Sequence, residues 1–322
     1  MNSTKITALS RRNFLEKTAL ASTAAVIGMP AISTAANVLN EEKGLHISVF
    51  SKHLQFLNYQ ETAEAAAEIG FNGIDWAVRP KGHVLPENVE EDLPLAIEAL
   101  KKVGMEPLLM TSGISSVEDK HTEKVLRKAS EMGIKLYRMS YYRFDEAKSI
   151  PQDMKLIKQK VESLALLNSK LNIQGAFQNH AGSYVGASIW EIWELIKDTD
   201  PDFMGCQYDI RHATAEGGMS WPTGLRLIEP RINSIVLKDY KWSIVDGKWK
   251  LLNVPIGEGM VDFDAYFKLL KKYKINVPVS MHYEYDLGGA EHGDGKISIP
   301  PKTIFQTMRK DLDKVRALWK NA

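Results

Sequence analysis

The hydrophobic pattern of the chain changes period repeatedly from about residue 45 to the C-terminus. Short apolar runs, typical of buried strands, alternate with longer segments in which apolar residues recur every three or four positions, typical of helices. The runs predict strands near 46–50, 73–79, 105–111, 135–141, 173–180, 203–210, 233–240 and 277–284. Helices are predicted near 60–69, 88–103, 119–132, 151–170, 188–198, 222–229, 263–274 and 301–319. Eight such units predict the α/β class and a single-domain (β/α)8 TIM barrel over residues 37–322.

Two predicted connections are long and follow strands at the end where barrels build their active sites. Residues 241–261 contain Asp246-Gly247, a dipeptide typical of a tight hairpin. Residues 286–299 contain Gly288-Gly289, which favours a flexible lid over a phosphate-binding loop. Both connections are therefore expected to cover a substrate.

The N-terminus reads as a targeting segment rather than as part of the barrel. Ser10-Arg11-Arg12-Asn13-Phe14-Leu15 matches a twin-arginine export pattern, and a mildly apolar run over 18–29 and small residues up to Ala36 follow it. The apolar run is shorter than the roughly 20 residues needed to span a bilayer. Residues 1–36 are therefore predicted to be a cleaved twin-arginine signal peptide, and the protein is expected in the periplasm, without membrane attachment after cleavage.

Composition excludes several classes of function. The 322 residues are 25% charged and 44% hydrophobic with a formal net charge of +1, so nothing favours nucleic acid or an anionic membrane as a partner. Cys206 is the only cysteine, which rules out an intrachain disulfide. Strand alternation places Cys206 on the face opposite Asp209, where it is expected to pack against the helices.

Four polar clusters stand at the ends of the last four predicted strands. They are Gln178-Asn179-His180, Asp209-Ile210-Arg211-His212, Lys238-Asp239 and His282-Tyr283-Glu284. In a barrel these ends meet at one face, so the clusters predict an active site there. Their carboxylates, amide and imidazoles favour one Mg²⁺ or Mn²⁺ ion over Zn²⁺.

The sequence resembles the sugar phosphate isomerase/epimerase family in three of these clusters and in a further segment. The matching pieces are Gln178-Asn179-His180, Asp209-Ile210-Arg211-His212, His282-Tyr283-Glu284-Tyr285, and Pro255-Ile256-Gly257-Glu258-Gly259 with Val261-Asp262-Phe263. The members of this family are xylose isomerase-like TIM barrels of the AP endonuclease 2-like superfamily, and the resemblance spans residues 45–320. It implies a divalent metal held by a Glu ending strand five, an Asp ending strand six, a His on strand seven and a Glu ending strand eight. It also implies a substrate contact by a His three residues after the Asp.

Only part of this ligand set is matched here. Asp209 and Glu284 fit, whereas Gln178 replaces the first Glu and Val236 falls at the His position. The predicted metal ligands are therefore Gln178, Asp209 and Glu284, with His180 as a further candidate. Lys238 lies two residues beyond Val236 on the same face. It either takes over part of the electrophilic role or pairs with the carboxylates as a structural ion pair.

The resemblance implies a carbohydrate substrate and proton abstraction next to its carbonyl. The predicted catalytic residues are Glu284, Lys238 and His212, and the predicted substrate contacts are His180, His212, His282 and Trp242, with the segment Arg79 to His83 as a weaker candidate. Because an amide cannot accept a proton, Gln178 leaves Glu284 as the carboxylate base. Export favours an unphosphorylated sugar as the substrate of an isomerase or epimerase. A lyase acting on 3-keto-glycosides and a barrel that only binds sugar are the alternatives, and an oligomer is compatible with each.

Overall fold

The computed structural model describes residues 44–322 as a closed barrel of eight parallel strands. The predicted signal peptide, residues 1–36, lies outside the described residues. Neighbouring strands follow the chain around the barrel, and the eighth strand closes it against the first. The barrel strands are β1 (Ile47–Phe50), β2 (Gly73–Val78), β3 (Leu109–Ser112), β4 (Leu136–Arg138), β5 (Gln174–Gln178), β6 (Met204–Asp209), β7 (Ile232–Leu237) and β10 (Val279–Met281). The predicted TIM barrel is confirmed.

Helices connect the strands and cover the outside of the barrel. They are α1 (Tyr59–Ile69), α2 (Val89–Lys102), α3 (Thr122–Glu131), α4 (Ile150–Leu171), α5 (Ile189–Ile196), α6 (Ile210–Gly217), α7 (Trp221–Ile228), α8 (Phe263–Lys272) and α9 (Pro301–Asn321). Local sequence explains their ends. Helix α1 begins with a capping box between Asn58 and Glu61, and it ends at Gly70, whose φ of 102° requires glycine. No helix in the described part of the chain is long and apolar enough to cross a membrane.

Several boundaries differ from the predicted ones for local reasons. Strand β3 starts at Leu109 and β10 at Val279, later than predicted, because Pro107 and Pro278 lack the backbone N–H that a strand ladder needs. Helix α6 was not predicted, since its first residues were assigned to the polar cluster that follows Asp209. The Asp209 side chain accepts from the backbone N–H of His212 at 3.1 Å and so caps this helix.

A two-stranded hairpin projects from the end of β7. Its strands β8 (Asp239–Val245) and β9 (Lys248–Val254) pair antiparallel over their whole length. At the turn Asp246 and Gly247 have φ values of 53° and 72°, as a tight type I′ turn requires. The hairpin predicted around this dipeptide is confirmed.

The alternation of side chains along the strands separates an outer core from a barrel interior. Leu109, Leu136 and Ala176 form a small apolar cluster of their own. Cys206 is fully buried in the large core and is a free thiol, as predicted, and its burial raises its pKa. The strand register sets Asp209 beside Val236, so the inward-facing series along β7 leads to Lys238 at the open end.

Candidate active site

Four adjacent strands deliver the polar clusters to one end of the barrel. Gln178 and Asp209 are the last residues of β5 and β6, Lys238 follows β7, and Glu284 follows β10. Because these strands are parallel neighbours, their carboxyl ends open on the same face and their side chains meet there. The predicted clustering of these four residues is what the structure shows.

The ammonium of Lys238 lies at the centre of this group. Its Nζ is 2.8 Å from Oε1 of Glu284, 3.2 Å from Oδ2 of Asp209 and 2.8 Å from Nε2 of His212. The side chain of Lys238 is 3% exposed and that of Asp209 fully buried, whereas that of Glu284 is 25% exposed. A buried cation is thus held between two carboxylates, of which only Glu284 reaches the open mouth.

Charge compensation sets the protonation of this group. Burial opposes the charge on Lys238, but Asp209 and Glu284 together raise its pKa above the ordinary value. Burial also opposes the charge on Glu284, yet Lys238 keeps the pKa of that carboxyl well below its usual range. Asp209 is the more deeply buried carboxylate, and burial raises its pKa despite the nearby Lys238. Lys238 is therefore an ammonium and Glu284 a carboxylate at neutral pH.

Amide side chains hold Asp209 in place. Nε2 of Gln178 donates to Oδ2 of Asp209 at 2.9 Å. Asn179 clamps the backbone of the same residue: its Nδ2 donates to the Asp209 carbonyl at 2.9 Å, and its Oδ1 accepts from the Asp209 N–H at 2.7 Å. The ends of β5 and β6 are thereby locked together, which fixes the position of the carboxylate.

The other end of the Gln178 amide faces away from the ion cluster. Its Oε1 accepts from the hydroxyl of Tyr141 at 2.6 Å and from Nη1 of Arg138 at 3.4 Å. The guanidinium of Arg138 also lies 4.6 Å from the centre of the Tyr141 ring. Neither residue was predicted as part of the site. An arginine at an inward position of an apolar strand was the available signal, because arginine is almost never buried without a partner.

His180 and His212 form a tilted pair of rings beside Lys238. Their ring centroids are 4.1 Å apart, and Nδ1 of His212 lies 2.9 Å from Nη1 of Arg211. Burial, followed by the charge of Lys238, lowers the pKa of His180 to about 4 and that of His212 well below its usual value. Both imidazoles are therefore neutral at physiological pH.

His282 also lies beside Glu284. Its ring stacks on Phe50 with centroids 4.7 Å apart, and its Nδ1 is 3.9 Å from Oε1 of Glu284. Burial lowers the pKa of His282 to about 3, and its Nε2 has no hydrogen-bond partner within the described residues. A buried polar atom without a partner at an open mouth is suited to bind a ligand hydroxyl.

Comparison with known proteins agrees with the barrel fold. The family model described as "Xylose isomerase-like TIM barrel" matches residues 63–309. The chain belongs to this family. A comparison with curated proteins gives no match.

Solved structures of two sugar epimerases and a dehydratase share the fold of this xylose isomerase-like barrel. A D-psicose 3-epimerase from Clostridium cellulolyticum H10, solved with D-tagatose, superposes with a TM-score of 0.65 at 14% identity, covering 85% of this chain and 99% of the other. A 3-keto-D-glucoside 4-epimerase from E. coli gives 0.62 at 14%, covering 85% and 99%. A probable 3-DHS dehydratase from Bacillus anthracis gives 0.63 at 14%, covering 84% and 99%.

The residues of this xylose isomerase-like barrel do not fit the predicted divalent metal. A cation such as Mg²⁺ or Mn²⁺ needs several oxygen or imidazole ligands around one point. Here the Lys238 ammonium occupies the space between Asp209 and Glu284, Val236 offers no donor, and the Gln178 oxygen points to Tyr141. Within residues 44–322 no group of three or more His, Cys, Asp or Glu side chains is placed to hold a metal.

Trp242 stands apart from the ion cluster of this xylose isomerase-like barrel. It lies on β8 of the hairpin and is 43% exposed. Its backbone N–H donates to the sulfur of Met260 at 3.4 Å, which ties the hairpin to the following loop. Stacking of its indole on a sugar ring stays a prediction.

Proposed function

We propose that this chain is a sugar isomerase or epimerase that moves a proton at the carbon next to a carbonyl, with Lys238 as the electrophile. The observation that carries the proposal is the ammonium held 2.8 Å from Glu284 and 3.2 Å from Asp209. A carboxylate base and a hydrogen-bond donor for a developing oxyanion thus lie side by side. Family membership and the sugar epimerases of similar fold support a carbohydrate substrate.

The proton moves to Glu284, the carboxylate that reaches the mouth. As it removes the proton, the C–H electron pair forms the C=C bond of an enediolate and the carbonyl oxygen takes up negative charge. Lys238 donates a hydrogen bond to that oxygen. While it does so, Glu284 loses part of its neighbouring positive charge, so its pKa rises and it becomes a stronger base. Lys238 then protonates the former carbonyl oxygen and takes up the proton of the neighbouring hydroxyl, whose carbon becomes the new carbonyl. Glu284 returns its proton to the former carbonyl carbon, which completes an aldose–ketose isomerisation.

Imidazoles surround the reacting group. The unpartnered Nε2 of His282 is available to a sugar hydroxyl, and His180 and His212 are neutral. Epimerisation needs a second proton-transferring group on the other face of the carbon, and since the Gln178 amide cannot take that role, His180 or His212 would have to. Isomerisation needs only one base, so it suits this set of residues better.

A 3-keto-glycoside lyase is the second candidate. Elimination also begins with removal of a proton next to a ketone, after which the electron pair expels the glycosidic oxygen. It needs no second base on the opposite face, and Glu284 is the one carboxylate of the cluster that is open to the mouth. The 3-keto-D-glucoside 4-epimerase among the similar folds supports a keto-sugar as the substrate.

Deuterium exchange distinguishes these functions. Purified protein is incubated in D₂O with unphosphorylated aldoses, ketoses and 3-keto-glycosides and followed by NMR. Deuterium at the carbon next to the carbonyl of an intact product supports isomerisation or epimerisation, and release of the glycosidic group supports the lyase. If the wild type gives neither with any substrate, the catalytic proposal is contradicted and the sugar-binding alternative stands. Glu284→Gln is the control, because it should bind sugar without exchange.

We further propose that the protein acts in the periplasm after export. Ser10-Arg11-Arg12-Asn13-Phe14-Leu15, the apolar run behind it and the small residues up to Ala36 support a twin-arginine signal. The substrate would then be a sugar found outside the cytoplasm.

A further inference from the structure

Two cations at the rim of the mouth take no part in the Lys238 cluster. Lys52 lies just after β1 and Arg79 just after β2, each partly buried. Both approach the same ring: Nζ of Lys52 is 6.0 Å and Cζ of Arg79 is 5.3 Å from the centroid of Phe50. Within residues 44–322 neither side chain forms an ion pair in the way that Lys238 does.

The mouth as a whole carries an excess of positive charge, although the chain is almost neutral. Its charged groups include five cations and four carboxylates, which are Lys52, Arg79, Arg138, Arg211, Lys238, Asp75, Asp209, Asp239 and Glu284. Asp75 lies deeper in the barrel and accepts from the hydroxyls of Thr111 and Ser280. Asp209 and Glu284 contact Lys238 directly, whereas Lys52 and Arg79 form no ion pair within residues 44–322 and are attracted only at longer range by Glu284 and Asp75.

These two cations lie close to the proposed reaction centre. The Phe50 ring that they flank stacks on His282, and His282 in turn approaches Glu284. Burial lowers the pKa of Lys52 to about 8; among the nearby charges Glu284 raises it, and Lys238, Arg79 and Arg138 lower it. Lys52 is therefore still charged at neutral pH, and because burial opposes that charge, a bound anion would stabilise it.

We infer that Lys52 and Arg79 bind a carboxylate of the substrate, so that the substrate class is a sugar acid such as a hexuronate. The inference rests on the proposed function of the mouth as a sugar site. A guanidinium can donate two parallel hydrogen bonds to a carboxylate, and an ammonium adds a third from the side. The carboxylate would then be anchored on one side of Phe50 while the carbonyl of the same sugar reaches Lys238.

Calorimetry with three probes tests the inference without requiring turnover. D-glucuronate, D-glucose and D-glucose 6-phosphate are titrated into the wild type, Lys52→Met and Arg79→Gln. We expect glucuronate to bind more tightly than glucose, and each variant to weaken glucuronate by roughly tenfold or more, the effect of one charge-assisted hydrogen bond, with glucose unchanged. Lys52→Arg should retain the affinity, and Lys101→Met is the matched control, because Lys101 is exposed near the C-terminal end of α2, at the opposite end of the barrel.

Three results would overturn the inference. Equal affinities for glucuronate and glucose would show that the mouth has no anion site. Undiminished glucuronate binding in both variants would show that the anion site does not involve Lys52 and Arg79. Tighter binding of the 6-phosphate than of glucuronate, lost in the same variants, would assign the site to phosphate esters instead of carboxylates. If the proposed function is wrong but the anion site is real, glucuronate would still bind through Lys52 and Arg79. Deuterium exchange would then be absent for every sugar.

Discussion

The ammonium nitrogen of Lys238 lies 2.8 Å from Oε1 of Glu284, in a pair whose lysine is 3% exposed and whose glutamate reaches the mouth. In the xylose isomerase-like pattern, the carboxylates ending strands six and eight are implied to share a divalent cation. Here they share a cation that belongs to the chain itself. An ammonium carries less charge than a divalent metal, but it donates directional hydrogen bonds and needs no set of ligands.

Replacing Lys238 tests whether it acts on the substrate or only balances buried charge. In Lys238→Met, turnover should fall roughly 100-fold, as when one oxyanion donor is lost. The pKa of Glu284 should rise because Lys238 no longer holds it low, so the acidic limb of the pH–rate profile should move to higher pH. The measurement is kcat against pH for the folded variant. An unchanged kcat and profile, with only lower stability, would return Lys238 to a structural ion pair.

The same substitution should create affinity for a divalent cation. Lys238→Met removes the ammonium that lies between Asp209 and Glu284, and it leaves their oxygens free to bind a metal. Calorimetric titration with Mn²⁺ should show tighter binding to Lys238→Met than to the wild type. Lys238→Met combined with Asp209→Asn is the matched control and should lose that gain. Mn²⁺ binding that is equally tight in the wild type would contradict this assignment.

Asp311, which is not part of the Lys238 cluster, should make the free energy of unfolding depend on pH. Its Oδ2 accepts from the Tyr285 hydroxyl at 2.8 Å, and burial raises the pKa of Asp311 to about 6. Since the folded pKa lies above the unfolded one, this group stabilises the fold at low pH, and that contribution is lost as the pH rises through about 6. Asp311→Asn should therefore gain up to about 3 kcal/mol in free energy of unfolding relative to the wild type between about pH 4 and pH 7. Denaturant titrations measure the free energy of unfolding of both proteins at each pH. If the difference between Asp311→Asn and the wild type is the same at both pH values, the prediction is refuted.

If the proposed export signal is correct, export should require Arg11 and Arg12. Replacing both Arg11 and Arg12 with lysine should leave the precursor in the cytoplasm, because the pathway reads the arginine pair. Cell fractionation followed by immunoblotting measures the distribution, and a single Lys5→Arg substitution upstream serves as the control. Unchanged periplasmic accumulation of the double variant would show that the segment is not a twin-arginine signal.

Periodicity was sufficient to predict the barrel because each strand and helix follows from local patterning that eight repeats reinforce. The positions of Asp209 and Glu284 followed from the same repeat. The sequence left both roles of Lys238 open, since the direction and reach of its side chain depend on neighbouring strands. Arg138 and Tyr141 were missed for a related reason: they reach the site by contacting the Gln178 amide of the neighbouring strand β5. Helix α6 was missed because its capping residue, Asp209, is also a site residue.

The most direct test of the central claim is the rate of deuterium exchange by the wild type after treatment with a chelator. If Lys238 is the electrophile, the stripped protein in metal-free buffer should exchange the hydrogen next to the substrate carbonyl at the rate of the untreated protein. Added Mn²⁺ or Mg²⁺ should not increase that rate. Loss of exchange on chelation, with recovery on adding a divalent cation, would contradict the account.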